Sequence, residues 1–166
     1  MTDGPTVSAR LGWALAGSVL VLDQITKVLI LGLFSGSPRA IEVLPFFNLV
    51  LAWNKGVSFG MFDGLGDWGP WILVGLALVI SVVLARWMMK AESRLNVMSL
   101  GLIIGGAVGN VIDRVRFGAV VDFLDVHVSG YHWPAFNVAD SAITVGAAIL
   151  ILDSLFFGSE EIKTDA

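Results

Sequence analysis

Asp122 and Asp140 are the residues of this chain best suited to do chemistry. Asp122 lies in Val120-Val121-Asp122-Phe123-Leu124, and Asp140 lies in Phe136-Asn137-Val138-Ala139-Asp140. Carboxylates in such apolar surroundings are costly to ionise. Two of them at one site would share a single proton, and a pair in that state can activate water. Each also has a plainer reading. Asn137 followed three residues later by Asp140 has the spacing of a capping box, and a carboxylate in a first helical turn suits the helix dipole. Asp122, on a strand, could point to water while its neighbours face the membrane. The residues alone leave both readings open. Asp125 falls on the opposite face of such a strand and is expected to be solvated.

Other polar residues sit in apolar stretches. Asp23 and Lys27 are four apart, the spacing of an intrahelical ion pair. Asn110 and Arg114 are likewise four apart, and Asp113 beside Arg114 could be an interfacial ion pair. His127 and His132 with Asp125 or Asp122 offer no third ligand and no familiar metal spacing, so no metal is expected. The sequence has no G-x-S-x-G, H-E-x-x-H or P-loop. Ser141 has no histidine or lysine placed to activate it.

The composition says where these residues must work. The 166 residues are 56% hydrophobic and 14% charged, against about a quarter charged in a soluble domain. Mean hydropathy is +0.83. The chain is therefore expected to be a membrane protein, a single domain over 1–166 with a handful of spans. It shows no basic patch for nucleic acid. With no cysteine, disulfides, thiolate nucleophiles and sulfur metal sites are excluded.

Four spans are predicted, at about 11–34, 68–89, 95–113 and 136–157, each near the roughly 20 residues a helix needs to cross a bilayer. The first carries Asp23 and Lys27 and ends in no A-x-A site, so it reads as a retained helix and not a cleaved leader. Pro70 suits the first turn of the second. The short connection after the second span holds Arg86, Lys90 and Arg94 against Glu92, which predicts a cytoplasmic loop and both termini cytoplasmic. Gly101, Gly105 and Gly109 recur every four residues in the third span, a face that lets another helix approach closely. The outward segments, about 35–67 and 114–135, contain two apolar stretches, 43–54 and 119–128. Both are expected to be strands that pair with each other at the interface, since open edges do not survive in lipid. The fold class is thus an all-α membrane protein with a small β element, four transmembrane helices plus an extracytoplasmic β-cradle.

The motifs, taken in order, resemble a known family. They are Asp23-Gln24-Ile25-Thr26-Lys27, Asn54-Lys55-Gly56-Val57-Ser58-Phe59-Gly60, Gly105-Gly106-Ala107-Val108-Gly109-Asn110-Val111-Ile112-Asp113-Arg114, Val120-Val121-Asp122-Phe123 and Phe136-Asn137-Val138-Ala139-Asp140-Ser141. Together these blocks look like lipoprotein signal peptidase, or signal peptidase II. Val57-Ser58 departs from the pattern, where the family more often has two small residues. The resemblance implies an aspartyl endopeptidase of the bacterial inner membrane, monomeric, with its active site near the extracytoplasmic face. It would cut a diacylglyceryl-modified prolipoprotein on the N-terminal side of the lipidated cysteine, with membrane lipids around it and no cofactor. It makes Asp122 and Asp140 the catalytic dyad. It assigns Asp23, Lys27, Asn54, Gly56, Asn110, Arg114, Arg116, Asn137 and Ala139 to substrate binding or organisation of the site. The glycines of 43–67 motivate a movable lid over the dyad.

Two rivals come from other classes. A small transporter or proton-relay subunit could use Asp23, Lys27, Asp122 and Asp140, but a relay needs polar groups through the whole membrane depth and here they cluster toward one face. A non-catalytic assembly factor could use the glycine face.

Overall fold

The computed structural model describes residues 9–36, 40–56 and 68–156. Among them are four helices, α1 (Ala9–Leu33), α2 (Gly69–Met88), α3 (Arg94–Phe117) and α4 (Val138–Phe156). All four are long and apolar enough to cross a membrane, so the chain is a multi-pass membrane protein. A 3₁₀ turn, Phe34–Gly36, continues α1.

The helix ends follow local chemistry. Pro70 sits in the first turn of α2, where a missing N–H costs nothing. Ser93 caps α3, its hydroxyl accepting from the Asn96 amide at 3.5 Å. Gly118 closes α3 with φ 70°, a left-handed conformation that glycine adopts freely. α3 thus continues beyond the predicted end at 113 and carries Arg114 and Arg116 on its last turn. Charge marks where the apolar layer stops, whereas the helix stops only at the glycine.

α3 is the central helix and packs against α1, α2 and α4. Its glycines set how close the neighbours come. A Cβ added at Gly105 would lie 2.5 Å from the Ala16 carbonyl oxygen and 2.9 Å from the Ala16 Cα, and one at Gly101 would collide with the backbone of Gly12. One at Gly109 would lie 2.6 Å from Asp23 Oδ2. The predicted 101/105/109 face is therefore the α1 contact, and Gly106 opens toward Ala139 of α4. Met88, Val97, Leu100, Ile104 and Ala16 fill the space between α1, α2 and α3.

The strands form one antiparallel sheet in the order β1 (Ala40–Leu44), β2 (Phe47–Asn54), β3 (Val120–Val128), β4 (Tyr131–His132). The expected pairing of the two apolar stretches is present as β2 with β3, with Ala52 opposite Asp122 and Asn54 opposite Val120. The stretch 43–54 is not one strand. It folds back at Pro45-Phe46 into a β1–β2 hairpin, because proline fixes φ and offers no N–H to a ladder. Phe136 joins the sheet through a bridge to Leu124, which brings the start of α4 against β3. Ile30, Phe34 and Phe123 form a second apolar cluster under the sheet.

Asp125 departs from expectation. It is buried, bonded by Asn48 Nδ2 at 2.9 Å and by His132 Nδ1 at 2.8 Å. Burial pushes its carboxyl up, but the bonds from His132 and Asn48 outweigh that and hold it below the usual carboxylate range. Asn48 of β2 and His132 of β4 close over this position, so period-two alternation does not leave it on a wet side. His127 stacks on His132 with ring centres 4.7 Å apart.

The backbone-to-backbone contact at the glycine face should be sensitive to size. Gly105→Leu is expected to lower stability by about 1–3 kcal/mol or to prevent packing of α1, since overpacking against backbone has no flexible side chain to yield. Gly17→Ala, which meets no atom within 4 Å, is expected to be neutral or slightly stabilising. Thermal unfolding in detergent checks both.

Candidate active site

Asp122 on β3 and Asp140 on the first turn of α4 are joined through one side chain, Asn137. Its Nδ2 donates to Asp122 Oδ1 at 2.7 Å. Its Oδ1 accepts from the Asp140 amide at 2.9 Å, and its own amide donates to Asp140 Oδ2 at 3.2 Å. The last two bonds are the reciprocal capping box anticipated from the 137–140 spacing. Asp140 therefore caps its helix and also sits beside Asp122. The capping reading and the paired-carboxylate reading do not compete.

All four carboxylate oxygens are held. Asn54 Nδ2 donates to Asp122 Oδ2 at 3.0 Å, and Asn110 Nδ2 donates to Asp140 Oδ1 at 2.8 Å. Each amide comes from a different element: β2, α3 and the loop before α4. Their donors fix both carboxyl planes while leaving further acceptor capacity on every oxygen. Both aspartates are poorly exposed. Burial pushes the Asp122 carboxyl up, the Asp140 charge adds to that, and the bonds from Asn54 and Asn137 with the Lys27 charge oppose it. The result is about 7.

Behind the pair lies a fully buried charge cluster. Lys27 Nζ is 2.8 Å from Asp23 Oδ2 and 2.8 Å from Asp113 Oδ2, and donates to Asn110 Oδ1 at 3.2 Å. The expected Asp23–Lys27 pair exists, but Asp113 pairs with Lys27 and not with Arg114. Adjacent residues on a helix point about 100° apart and do not face each other. Gln24 Nε2 bonds Asp23 Oδ2 at 3.2 Å and Asp113 Oδ1 at 3.1 Å.

The remaining expected residues divide. Arg114 donates to the Gly56 carbonyl at 3.2 Å, and the Gly56 amide donates to Asn54 Oδ1 at 3.2 Å. These contacts tie the end of β2 to α3. Among the described residues Arg114 Nε is buried with no hydrogen-bond partner. Ala139 is buried and its amide donates to Asp23 Oδ1 at 3.0 Å. Arg116 donates to Gln24 Oε1 at 3.5 Å and lies over Phe117, so its bonds lead away from both aspartates. Gln24 and Asp113 were not singled out as site residues from sequence. Both stand inside the quoted blocks, and a charge or amide at that depth was the available signal. Of the segment 43–67 expected to form a lid, residues 57–67 lie outside those described.

A groove of about 790 Å³ opens beside the pair, lined by Asn54, Trp133, Phe136, Asp140, Ile143 and Thr144 among others. Its walls are mainly apolar, with Asp140 and Asn54 as the polar end. Among the described residues no cluster of histidine, aspartate and glutamate is arranged to hold a metal.

Comparison with known proteins agrees with this architecture. The family model described as signal peptidase (SPase) II matches residues 15–156. A lipoprotein signal peptidase of Rhodopseudomonas palustris is 51% identical over 152 residues, covering 88% of this chain and 92% of that protein. One from Methylobacterium sp. (strain 4-46) is 49% identical over 147 residues, covering 88% and 89%. A bacterial membrane enzyme solved by the in meso method at 2.3 Å superposes with a TM-score of 0.78 at 29% identity, covering 93% of each chain. With residues 15–156 matched by the family model and most of its length shared with these relatives, the chain belongs to the signal peptidase II family.

Proposed function

We propose that this protein is an aspartyl endopeptidase that removes the signal peptide from diacylglyceryl-modified prolipoproteins, cutting on the N-terminal side of the lipidated cysteine. The observation that carries the reading is the Asp122–Asn137–Asp140 arrangement, whose Asp140 lines an apolar groove. Family membership supports the substrate class. Asp122 and Asp140 are the catalytic dyad. Asn54, Asn110 and Asn137 orient it, Arg114 and Gly56 hold the strand that carries Asn54, and Asp23, Lys27 and Ala139 support it from behind.

One carboxyl of the pair holds a proton and the other is ionised. The pair titrates as a unit, so the proton belongs to both. The ionised member takes a proton from water, and the resulting oxygen attacks the scissile carbonyl carbon. The protonated member gives its proton to the carbonyl oxygen, which neutralises the charge developing there. The tetrahedral diol then collapses. One hydroxyl proton returns to a carboxylate, the other carboxyl protonates the leaving nitrogen, and the C–N bond breaks. The substrate's apolar segments lie along the groove beside Ile143 and Thr144.

The basic residues of the α2–α3 connection, Arg86, Lys90 and Arg94, support a cytoplasmic position for that loop. Asn110 lies 16 residues beyond Arg94 on α3, roughly 24 Å away at 1.5 Å per residue. The dyad then works near the extracytoplasmic face of the bacterial inner membrane. The enzyme is proposed to act as a monomer. A proton relay is disfavoured by the same placement, since the polar cluster stops on one side of the membrane.

Asp122→Asn and Asp140→Asn are each expected to reduce turnover by about 10²–10⁴-fold or more while the protein stays folded, because each removes a proton acceptor or donor from the reaction. Cleavage of purified lipid-modified prolipoprotein, followed by gel shift with a chelator present, tests this. Near-normal turnover in either variant would make that aspartate structural.

The pH dependence follows from Asp122. With its carboxyl raised from 3.8 to about 7, the pair loses its proton near neutrality, so kcat/KM is expected to fall as pH rises through about 7. Stability shifts in the same sense. The folded state binds this proton more tightly than the unfolded chain, so the contribution is full below 3.8 and is lost as pH rises toward about 7. Unfolding temperature measured against pH should show that slope in the wild type and lose it in Asp122→Asn.

A further inference from the structure

We infer that Asp113 and Asp23, clamped together by Lys27, are positioning residues that set the backbone of both dyad aspartates at once. This rests on the dyad reading above. Asp113 Oδ2 accepts from the Val121 amide at 3.1 Å, and Val121 directly precedes Asp122. Asp23 Oδ1 accepts from the Ala139 amide at 3.0 Å, and Ala139 directly precedes Asp140. The two halves are alike: one buried carboxylate, one backbone amide, one dyad residue next in the chain.

Lys27 couples the halves. It lies 2.8 Å from each carboxylate, and the exposures of Lys27, Asp23 and Asp113 are 2%, 0% and 0%. An ammonium has three protons, and three acceptors meet it here: Asp23, Asp113 and Asn110 Oδ1. The third acceptor belongs to the side chain that holds Asp140 Oδ1. Gln24 closes the cluster by donating to both carboxylates. A movement of α1 relative to α3 would therefore reach Asp122 through Val121 and Asp140 through Ala139 and Asn110. None of the three charged groups lines the groove.

The Ala139 amide is also one of the orphan donors of the first turn of α4. The capping box already satisfies the Asp140 amide from within the loop, and Asp23 satisfies Ala139 from a different helix. The start of α4 is thereby fixed relative to α1, beyond what its own cap requires.

Asp113→Asn and Asp23→Asn each leave Lys27 with one carboxylate, so neither creates an unpaired buried ammonium. The test measures kcat and KM of each variant on the purified prolipoprotein, normalised to folded protein. A misplacement on the order of 1 Å costs about 10²-fold, so kcat of each single variant is expected to fall about 10–100-fold with KM within about twofold. A kcat within twofold of wild type in the folded variants overturns the proposal. So does a rise in KM at constant kcat, or failure of both single variants to fold, which would make the cluster structural only. Asp122→Asn and Asp140→Asn, assayed alongside, separate the two ideas. If they are dead while the triad variants are normal, the positioning role fails and the dyad stands. If they remain active, the dyad itself fails and the positioning role falls with it.

Discussion

The buried ammonium of Lys27 is the constraint around which the polar end of the bundle is arranged. A charge at membrane depth is tolerated only when it is paired and its protons are satisfied. Lys27 meets that condition with Asp23 on its own helix and Asp113 on α3. Without Lys27 the two buried carboxylates would have no counter-charge, so the three side chains lock α1 to α3 at one height.

The lock closes only because the backbones come close enough. Gly101 admits Gly12, Gly105 admits Ala16, and Gly109 leaves room for the Asp23 carboxylate. In lipid there is little hydrophobic drive between helices, so this small-residue contact and the polar bonds it permits do most of the holding. Packing and electrostatics are one arrangement here. A larger residue in the stripe would separate the helices and lengthen the same bonds that hold the ammonium.

The sheet extends that order out of the helices. β3 enters beside α3 through the bond between Val121 and Asp113, and β2 brings Asn54 across to Asp122. Phe136 pairs with Leu124 and delivers the start of α4. Three amide side chains from separate elements then meet two carboxylates. Each of these neutral donors supports a carboxylate without neutralising it, which suits the proposed pair sharing one proton.

Much of this was legible in the sequence because it depends on local pattern. Apolar length marks the spans, four-residue glycine spacing marks the close face of α3, and the Asn137–Asp140 spacing marks the cap, whatever the rest of the chain does. Other features depend on which surfaces meet. Adjacency suggested Arg114 as the partner of Asp113, but the direction of the side chain on the helix gave it to Lys27, 86 positions earlier. Alternation placed Asp125 in water, but Asn48 and His132 from the flanking strands close over it. Apolar composition joined 43–54 into one strand, and Pro45 turned it into a hairpin. The amino-acid sequence by itself determined that two carboxylates would lie in apolar surroundings near one face of a four-helix membrane protein. Only the tertiary structure decided that they would share Asn137 and stand in front of the Lys27 cluster. Those contacts join residues far apart in the chain, and their geometry follows from helix approach and strand register, which no local period records.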